Sequence, residues 1–151
     1  MSDDRKWEDY IAIRNLIGRL NEYADAANGH SYSELYVDDG VFEIAGHGTH
    51  VGRQAIAKVC EAMKVTVHVT TEHVIEIDGD EAHQRSRLLA FYLAQDGSAN
   101  NFVTSGRYLD QLIRTDAGWR IKHRKAITDL NQDEVLERMN ATEVFGALKN
   151  I

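Results

Sequence analysis

Two residues far apart in the chain have side chains that could act together as a general base. His68 stands at the start of a segment of strand-forming residues, and Asp25 lies near the end of an amphipathic N-terminal helix pattern. A carboxylate that holds one nitrogen of an imidazole leaves the other nitrogen able to accept a proton at neutral pH. If the fold brings Asp25 and His68 together, the pair could remove a proton from an organic substrate.

The other histidines do not form a metal-binding pattern with this pair. His73 follows His68 by five positions, so the two side chains would face opposite sides of a regular strand unless a bulge intervened. His47 and His50 lie in a glycine-rich loop with no acidic or cysteine partner close in sequence. We therefore expect neither a metal ion nor another cofactor.

Residues of the later strand patterns could complete a pocket around such a base. Tyr108 and Asp110 share one face of their segment; if that face points inward, the tyrosine hydroxyl could donate to a developing oxyanion, although a core tyrosine fits equally well. Arg124 could anchor an anion or carbonyl, but a solvated strand arginine is the simpler interpretation. Tyr23 and Ser86 could bind an oxygen or a leaving group. The apolar candidates for the pocket wall, each of which could equally be core, are Phe42, Leu88, Ala90 and Phe102.

Hydrophobic periodicity and turn signals predict the elements that would position these residues. Apolar residues spaced three and four apart predict a long first helix, which Asn28-Gly29 ends. Strand character extends from Val65 to Thr128, with Asp-Gly and similar turns between the strands. The predicted helices cover residues 7–27, 33–36, 53–63 and 133–148, a short strand covers 41–44, residues 45–52 form a loop, and the turns lie at 78–79, 96–97 and 116–118.

This order of elements predicts an α+β fold. Helices come first, an antiparallel meander follows, and one further helix comes last, which favours helices packed on one side of a mostly antiparallel sheet. A strongly curved sheet of this kind, folded around the long helix, makes a cone with an internal pit. The length of 151 residues fits one domain, spanning residues 1–151, with a sizeable core.

Composition argues against several classes of function. There are 24 acidic and 17 basic residues, the net charge is −7, and the basic residues are scattered, so nucleic-acid binding is not expected. Cys60 is the sole cysteine, which excludes an internal disulfide. No apolar run approaches the length of about 18 residues that a membrane span needs, and no signal-peptide pattern is present. We expect a cytoplasmic protein that binds neither nucleic acid nor membrane.

A series of short motifs is specific in its order and spacing, although no single motif is. The motifs are Ile13-Arg-Asn-Leu16 before Tyr23-Ala-Asp25, the segment 35–42, Gly52-Arg-Gln-Ala-Ile56, His68 before the segment 75–82, and the segment 106–110 before 118–121. Over about residues 7–128 they resemble the SnoaL-like (polyketide-cyclase-like) family of the nuclear-transport-factor-like superfamily. The resemblance implies a cone-shaped, cystatin-like α+β barrel.

The resemblance also implies a chemistry for Asp25 and His68. In members such as scytalone dehydratase and hexachlorocyclohexane dehydrochlorinase, an Asp at the end of the first helix pairs with a His at the start of the strand after the third helix. Asp25 and His68 match these positions. By resemblance, His68 takes a proton from a carbon beside a leaving group or carbonyl, and Asp25 fixes its tautomer. The implied protein is a cofactor-independent lyase or isomerase that acts on a small, hydrophobic, cyclic compound.

The same family offers a non-catalytic alternative. It includes binding and pairing domains, among them small subunits of ring-hydroxylating oxygenases, in which the cone is structural. An Asp25–His68 contact that faces an enclosed cavity would favour the enzyme, whereas a pit filled by Phe and Leu side chains would favour the structural role. Because family members commonly assemble through the open face of the sheet, the resemblance also implies a homodimer or homotrimer.

Overall fold

A computed structural model describes residues 3–62, 66–92 and 102–129 of the chain. The predicted helix over residues 133–148 and the predicted turn at 96–97 lie outside these ranges. The helices are α1 (Asp3–Asp25), α2 (Gly29–Ser33) and α3 (Arg53–Ala62), and the strands are β1 (Tyr36–Ile44), β2 (Gly48–Val51), β3 (Thr66–Asp78), β4 (Glu81–Tyr92), β5 (Phe102–Thr115) and β6 (Gly118–Thr128).

The six strands form one mixed sheet in the order β2-β1-β6-β5-β4-β3. All neighbours are antiparallel except β1 and β6, which are parallel. Tight turns join β3 to β4 and β5 to β6 through Gly79 and Gly118, whose φ angles of 60° and 92° suit a residue without a Cβ atom. The predicted α+β fold with a mostly antiparallel sheet is confirmed.

One face of the sheet, called the inner face below, packs against α1 and α3. On β4, for example, the buried residues alternate with exposed ones, so that Ala82, Ser86 and Ala90 point inward and His83 points outward. The apolar stripe of α1 covers this face with side chains that are almost completely buried: Ile13, Leu16, Ile17 and Leu20. No helix in the described part of the chain is both long and apolar enough to cross a membrane.

The segment after α1 folds differently from its prediction. The side chain of Asn28 accepts the N–H of Ser31 and caps α2, so this helix begins earlier than predicted and ends at Ser33. Strand β1 then begins at Tyr36 rather than at residue 41, and the predicted loop over residues 45–52 contains β2. The pairing of β1 with β6 is irregular between Tyr36 and Val41.

A network of charged side chains fastens the N-terminal part of α1 to the β5–β6 hairpin. Both carboxylate oxygens of Asp9 accept hydrogen bonds of 2.6 Å from Arg114, and one of them also accepts the indole N–H of Trp119 at 3.0 Å. The Arg114 guanidinium lies 4.5 Å from the centre of the Trp119 ring. Hydrogen bonding from Arg114 lowers the pKa of Asp9. This attachment fixes the direction of α1 and hence the position of its far end.

Candidate active site

The last residue of α1 contacts the start of β3. Oδ1 of Asp25 lies 2.7 Å from Nδ1 of His68 and also accepts the backbone N–H of His68 at 2.9 Å. An ionised carboxylate only accepts hydrogen bonds, so Nδ1 of the imidazole carries a proton and Nε2 is the acceptor of the neutral ring. The His68 side chain is 5% exposed and that of Asp25 is 29% exposed. The buried imidazole of His68 is thus held in one tautomer by Asp25.

A second contact one helical turn earlier supports this geometry. Nδ2 of Asn21 donates to Oγ1 of Thr70 at 2.8 Å. Four residues advance a helix by about 6 Å, and two residues advance a strand by about 6.6 Å. Asn21 and Asp25 therefore match the spacing of Thr70 and His68 on one face of β3, and the two contacts fix the helix end on the strand. The sequence signal for Asn21 is its position one helical turn before Asp25.

A narrow pit opens beside the His68 ring, between α1 and the inner face of the sheet. Its volume is about 50 Å³. An apolar cavity of about 150 Å³ holds a benzene molecule, so this pit accepts a small group rather than a whole ring in the present conformation. A larger groove of about 360 Å³ lies on the outer face, beside His83 and Gln111, and is separated from His68 by the sheet. The pit is lined mainly by apolar side chains, including Leu20, Ala24, Phe42, Val59, Leu88 and Ala90.

Arg124 lies in the wall of the pit with a side chain that is 1% exposed. It donates through Nε and a terminal nitrogen to the two carboxylate oxygens of Asp110, both at 2.8 Å, and Gln84 donates to the same carboxylate at 2.6 Å. Burial alone would lower the pKa of Arg124, but the Asp110 carboxylate outweighs it and holds that pKa above its ordinary value. The pit thus contains a permanently charged guanidinium that is neutralised by a buried partner.

Tyrosine side chains surround the guanidinium. The Arg124 guanidinium lies 4.1 Å from the centre of the Tyr108 ring, and the hydroxyls of Tyr32 and Tyr36 are 3.2 Å apart. Burial raises the pKa of all three phenols above the usual value, so they stay protonated at neutral pH. Tyr32, which the sequence patterns did not single out, lines the pit together with Tyr108. The lining of the pit thus includes two protonated tyrosines and a guanidinium as well as His68.

Comparison with known proteins identifies the family. Residues 5–125 match the model of the SnoaL-like domain. The chain belongs to the SnoaL-like family. The family resemblance that its motifs predicted is therefore confirmed. No curated protein matches the chain significantly.

Solved structures support the same fold for this SnoaL-like domain. A variant of Rv3472, a protein of unknown function from Mycobacterium tuberculosis, has a TM-score of 0.80 and 28% identity, over 96% of this chain and 89% of that one. A nuclear-transport-factor-like protein with a cystatin-like fold from Novosphingobium aromaticivorans has a TM-score of 0.71 and 29% identity, over 85% and 88%. A hexachlorocyclohexane dehydrochlorinase, LinA type 2, has a TM-score of 0.77 and 18% identity, over 85% and 90%, which is a likeness of fold alone.

The eight predicted binding residues of the SnoaL-like domain occupy three kinds of position. Ser86 and Asp110 are buried on the inner face but lie behind the pit lining, and Tyr23 packs against the hydrophobic core. The Phe102 side chain lies outside the described part of the structure. The four that line the pit are Phe42, Leu88, Tyr108 and Arg124.

The interpretation of Arg124 as a solvated strand residue is wrong. Trp119 and Ile121 face inward, so strict alternation along β6 would place His123 inward and Arg124 outward. The pairing of β6 with β5 shifts between Gln111 and Leu112, which adds one residue to β6 at this point. The shift turns Arg124 inward, whereas His123 contacts Glu43 at 3.2 Å on the outer face.

His68 and His73 lie on the same side of β3, because a bulge, the exception to the expectation for a regular strand, separates them. Thr71 pairs with Arg87 and Val74 pairs with Arg85, so β3 has one extra residue there, and Glu72 adopts a φ of 54°. His73 therefore returns to the inner face, where its Nδ1 lies 3.2 Å from Oε1 of Gln84. Among the residues described, no group of three or more His, Cys, Asp or Glu side chains is placed to bind a metal ion.

Proposed function

We propose that this SnoaL-like protein is a cofactor-independent lyase or isomerase in which His68 removes a proton from a carbon of a small cyclic organic compound. The observation that carries the proposal is the 2.7 Å contact between Asp25 and His68 at the edge of an apolar pit. With Nδ1–H bound to Asp25, Nε2 is the atom that accepts the substrate proton, and the carboxylate stabilises the resulting imidazolium. A positioned base of this kind contributes about 10²–10⁴-fold to a rate.

The donors in the pit wall suit the negative charge that this step creates. When a proton leaves a carbon beside a carbonyl or a leaving group, charge develops on the oxygen or on the departing atom. The protonated Tyr108 hydroxyl in the pit lining would donate a hydrogen bond to this charge in an environment with little water. Dehydration, elimination, isomerisation and cyclisation all begin with this proton transfer.

The neutral charge balance of the pit favours an uncharged substrate. Asp110 already matches Arg124 through two hydrogen bonds of 2.8 Å, so a carboxylate or phosphate group would enter without a compensating cation from this pair. The small volume favours a ring that inserts only its reacting edge beside His68. A hydrophobic cyclic ketone, alcohol or halide meets both conditions.

One observation favours a second candidate, a non-catalytic binding or pairing domain of the same fold. The pit has a volume of only about 50 Å³, and Phe42 and Leu88 form part of its wall. In such a domain the Asp25–His68 contact would serve only to fasten α1 to β3. The two candidates differ in whether a ligand that reaches His68 is chemically changed.

Turnover of a compound panel separates these candidates. Cyclic hydroxy-ketones and cyclic halides are incubated with the wild type, Asp25→Asn and His68→Ala, and His83→Ala, an exposed outer-face histidine, is the matched control. We expect the wild type and the control to convert at least one compound, with losses of about 10²–10⁴-fold in the two site variants. Circular dichroism checks that the variants remain folded. Turnover in either site variant equal to that of the wild type would exclude the proposed Asp25–His68 dyad.

A further inference from the structure

The hydroxyl of Ser86 is a buried polar group that does not line the pit. The residue lies in the middle of β4, on the inner face, and is 3% exposed. Its Oγ is fully buried and has no hydrogen-bonding partner within the described ranges. A hydroxyl that is removed from water without a partner is unfavourable, and buried polar atoms in native proteins are nearly always hydrogen-bonded. The position therefore calls for a partner that is not part of the described chain.

The sheet places Ser86 between an aromatic ring and an imidazole. Ser86 pairs directly with Tyr108 on β5. On the other side, the registered pairs Thr71–Arg87 and Val74–Arg85 leave the bulge of β3 opposite Ser86. That bulge is the irregularity that turns His73 to the inner face. His73 and Ser86 therefore lie on the same face of two adjacent strands.

The hydrogen bonds of His73 fix its tautomer. Gln84 donates its amide N–H to Asp110 at 2.6 Å, which orients Oε1 of Gln84 towards Nδ1 of His73 at 3.2 Å. Since an amide oxygen only accepts, Nδ1 of His73 carries the proton and Nε2 of the neutral ring is an acceptor. Burial and the nearby Arg14 lower the pKa of His73, so the ring is neutral at pH 7. This part of the inner face thus combines the Ser86 hydroxyl, for which no partner is described, and the Nε2 atom of His73, which can accept a hydrogen bond.

We propose that Ser86 and His73 form a binding site for one internal water molecule behind the lining of the pit. The water accepts or donates a hydrogen bond at Ser86 Oγ and donates one to His73 Nε2. Water suits the site because it both donates and accepts, and because internal waters typically make two to four hydrogen bonds to buried polar groups. Arg124, Asp110, Gln84 and His73 form a series of hydrogen bonds. The water would connect this series to Ser86 on β4, which pairs with Tyr108.

A crystal structure of the full-length protein at a resolution that shows ordered water tests the site directly. We expect a water within about 2.6–3.2 Å of both Ser86 Oγ and His73 Nε2, and its loss in Ser86→Ala. A side chain from residues 130–151 in hydrogen-bonding contact with Ser86 Oγ would overturn the proposal, as would a dry, apolar space. No substrate is needed, so this result is independent of the proposed function.

Two solution measurements give further outcomes. Ser86→Ala is expected to lower the midpoint of thermal unfolding by about 2–4 °C, because the water loses a partner; a hydroxyl with no partner at all would give a rise instead. In ¹⁵N spectra of the histidine rings, His73 is expected in the Nδ1–H form in the wild type and to lose that preference in Gln84→Leu. An Nε2–H form of His73 in the wild type would contradict the assigned acceptor.

Discussion

Oδ1 of Asp25 accepts two hydrogen bonds from the same residue, the ring Nδ1–H of His68 at 2.7 Å and the backbone N–H of His68 at 2.9 Å. The backbone contact fixes the carboxylate relative to β3, and the ring contact then fixes the imidazole relative to the carboxylate. Orientation of the ring therefore depends on the backbone of a strand rather than on one side-chain rotamer alone. For the proposed base, this geometry fixes the position of the ring before any substrate binds.

Loss of the Asp110 carboxylate should destabilise the protein strongly. Asp110→Leu leaves the Arg124 guanidinium buried and unpaired, for which we expect a decrease of about 3–5 kcal/mol in the free energy of unfolding, measured by urea denaturation. Asp39→Leu, at an exposed position of β1, is the control. The double variant Asp110→Leu/Arg124→Met should recover most of the loss. A double variant as unstable as the single one would contradict this account of the pair.

The network around Asp9 should make stability depend on acid. Because Arg114 lowers the pKa of Asp9 in the folded state, its contribution is present above the unfolded pKa of about 3.9 and is lost as the pH falls through the folded value. Asp9→Asn should therefore be less stable than the wild type at pH 7, by about 1.5–3 kcal/mol, and the difference should shrink below pH ~4. Unfolding curves across this range check the prediction, with Glu81→Gln as an exposed control. A difference that stays constant down to pH ~2 would argue against it.

Enlarging the pit should create a measurable binding site. Leu88→Ala removes most of a buried side chain from the lining, at a cost of about 2–5 kcal/mol in stability, and should let benzene bind and raise the thermal midpoint of the variant. Leu89→Ala is a matched control, since Leu89 is the next residue of β4 and faces outward with 39% exposure. An equal benzene response in both variants would show that the pit is not where the ligand binds.

The outer face of the sheet should mediate self-association. The exposed apolar residues described on this face lie on adjacent strands: Val67, Val69, Val74, Leu89, Val103 and Leu109. A patch of this kind on a sheet is typical of an interface, so we expect a dimer or trimer for the wild type in light scattering. Leu89→Glu should shift it towards the monomer, whereas Val51→Glu, at an exposed position of the edge strand β2, should not. A monomeric wild type would contradict the expectation.

Local signals in the sequence were sufficient for much of the fold. The apolar stripe of α1, the turns at Asp78-Gly79 and Asp116–Gly118, and the strand character between them predicted the meander, because each depends on neighbouring residues. The positions of Arg124 and His73 could not be predicted this way. Each depends on a bulge that arises from pairing with another strand, and one extra residue reverses which side chains face inward.

The candidate site likewise contains some features that local sequence signals predict and others that depend on contacts between distant elements. Motif order pointed to Asp25 and His68, whose contact depends on the direction in which α1 crosses the sheet and so on the distant Asp9–Arg114 attachment. Asn21 could have been found from its spacing of one helical turn before Asp25. The partners of Arg124 and the small volume of the pit depend on packing between non-local elements, which hydrophobic patterns do not specify.

The proposed removal of a proton from carbon by His68 is tested most directly by hydrogen–deuterium exchange on a substrate. Cyclic ketones that carry a hydrogen beside the carbonyl are incubated in D₂O with the wild type and with His68→Gln, and deuterium at that carbon is followed by NMR. We predict incorporation that depends on the wild-type protein and is about 10²–10⁴-fold slower with the variant. Equal incorporation with the two proteins would contradict the assignment of His68 as the base.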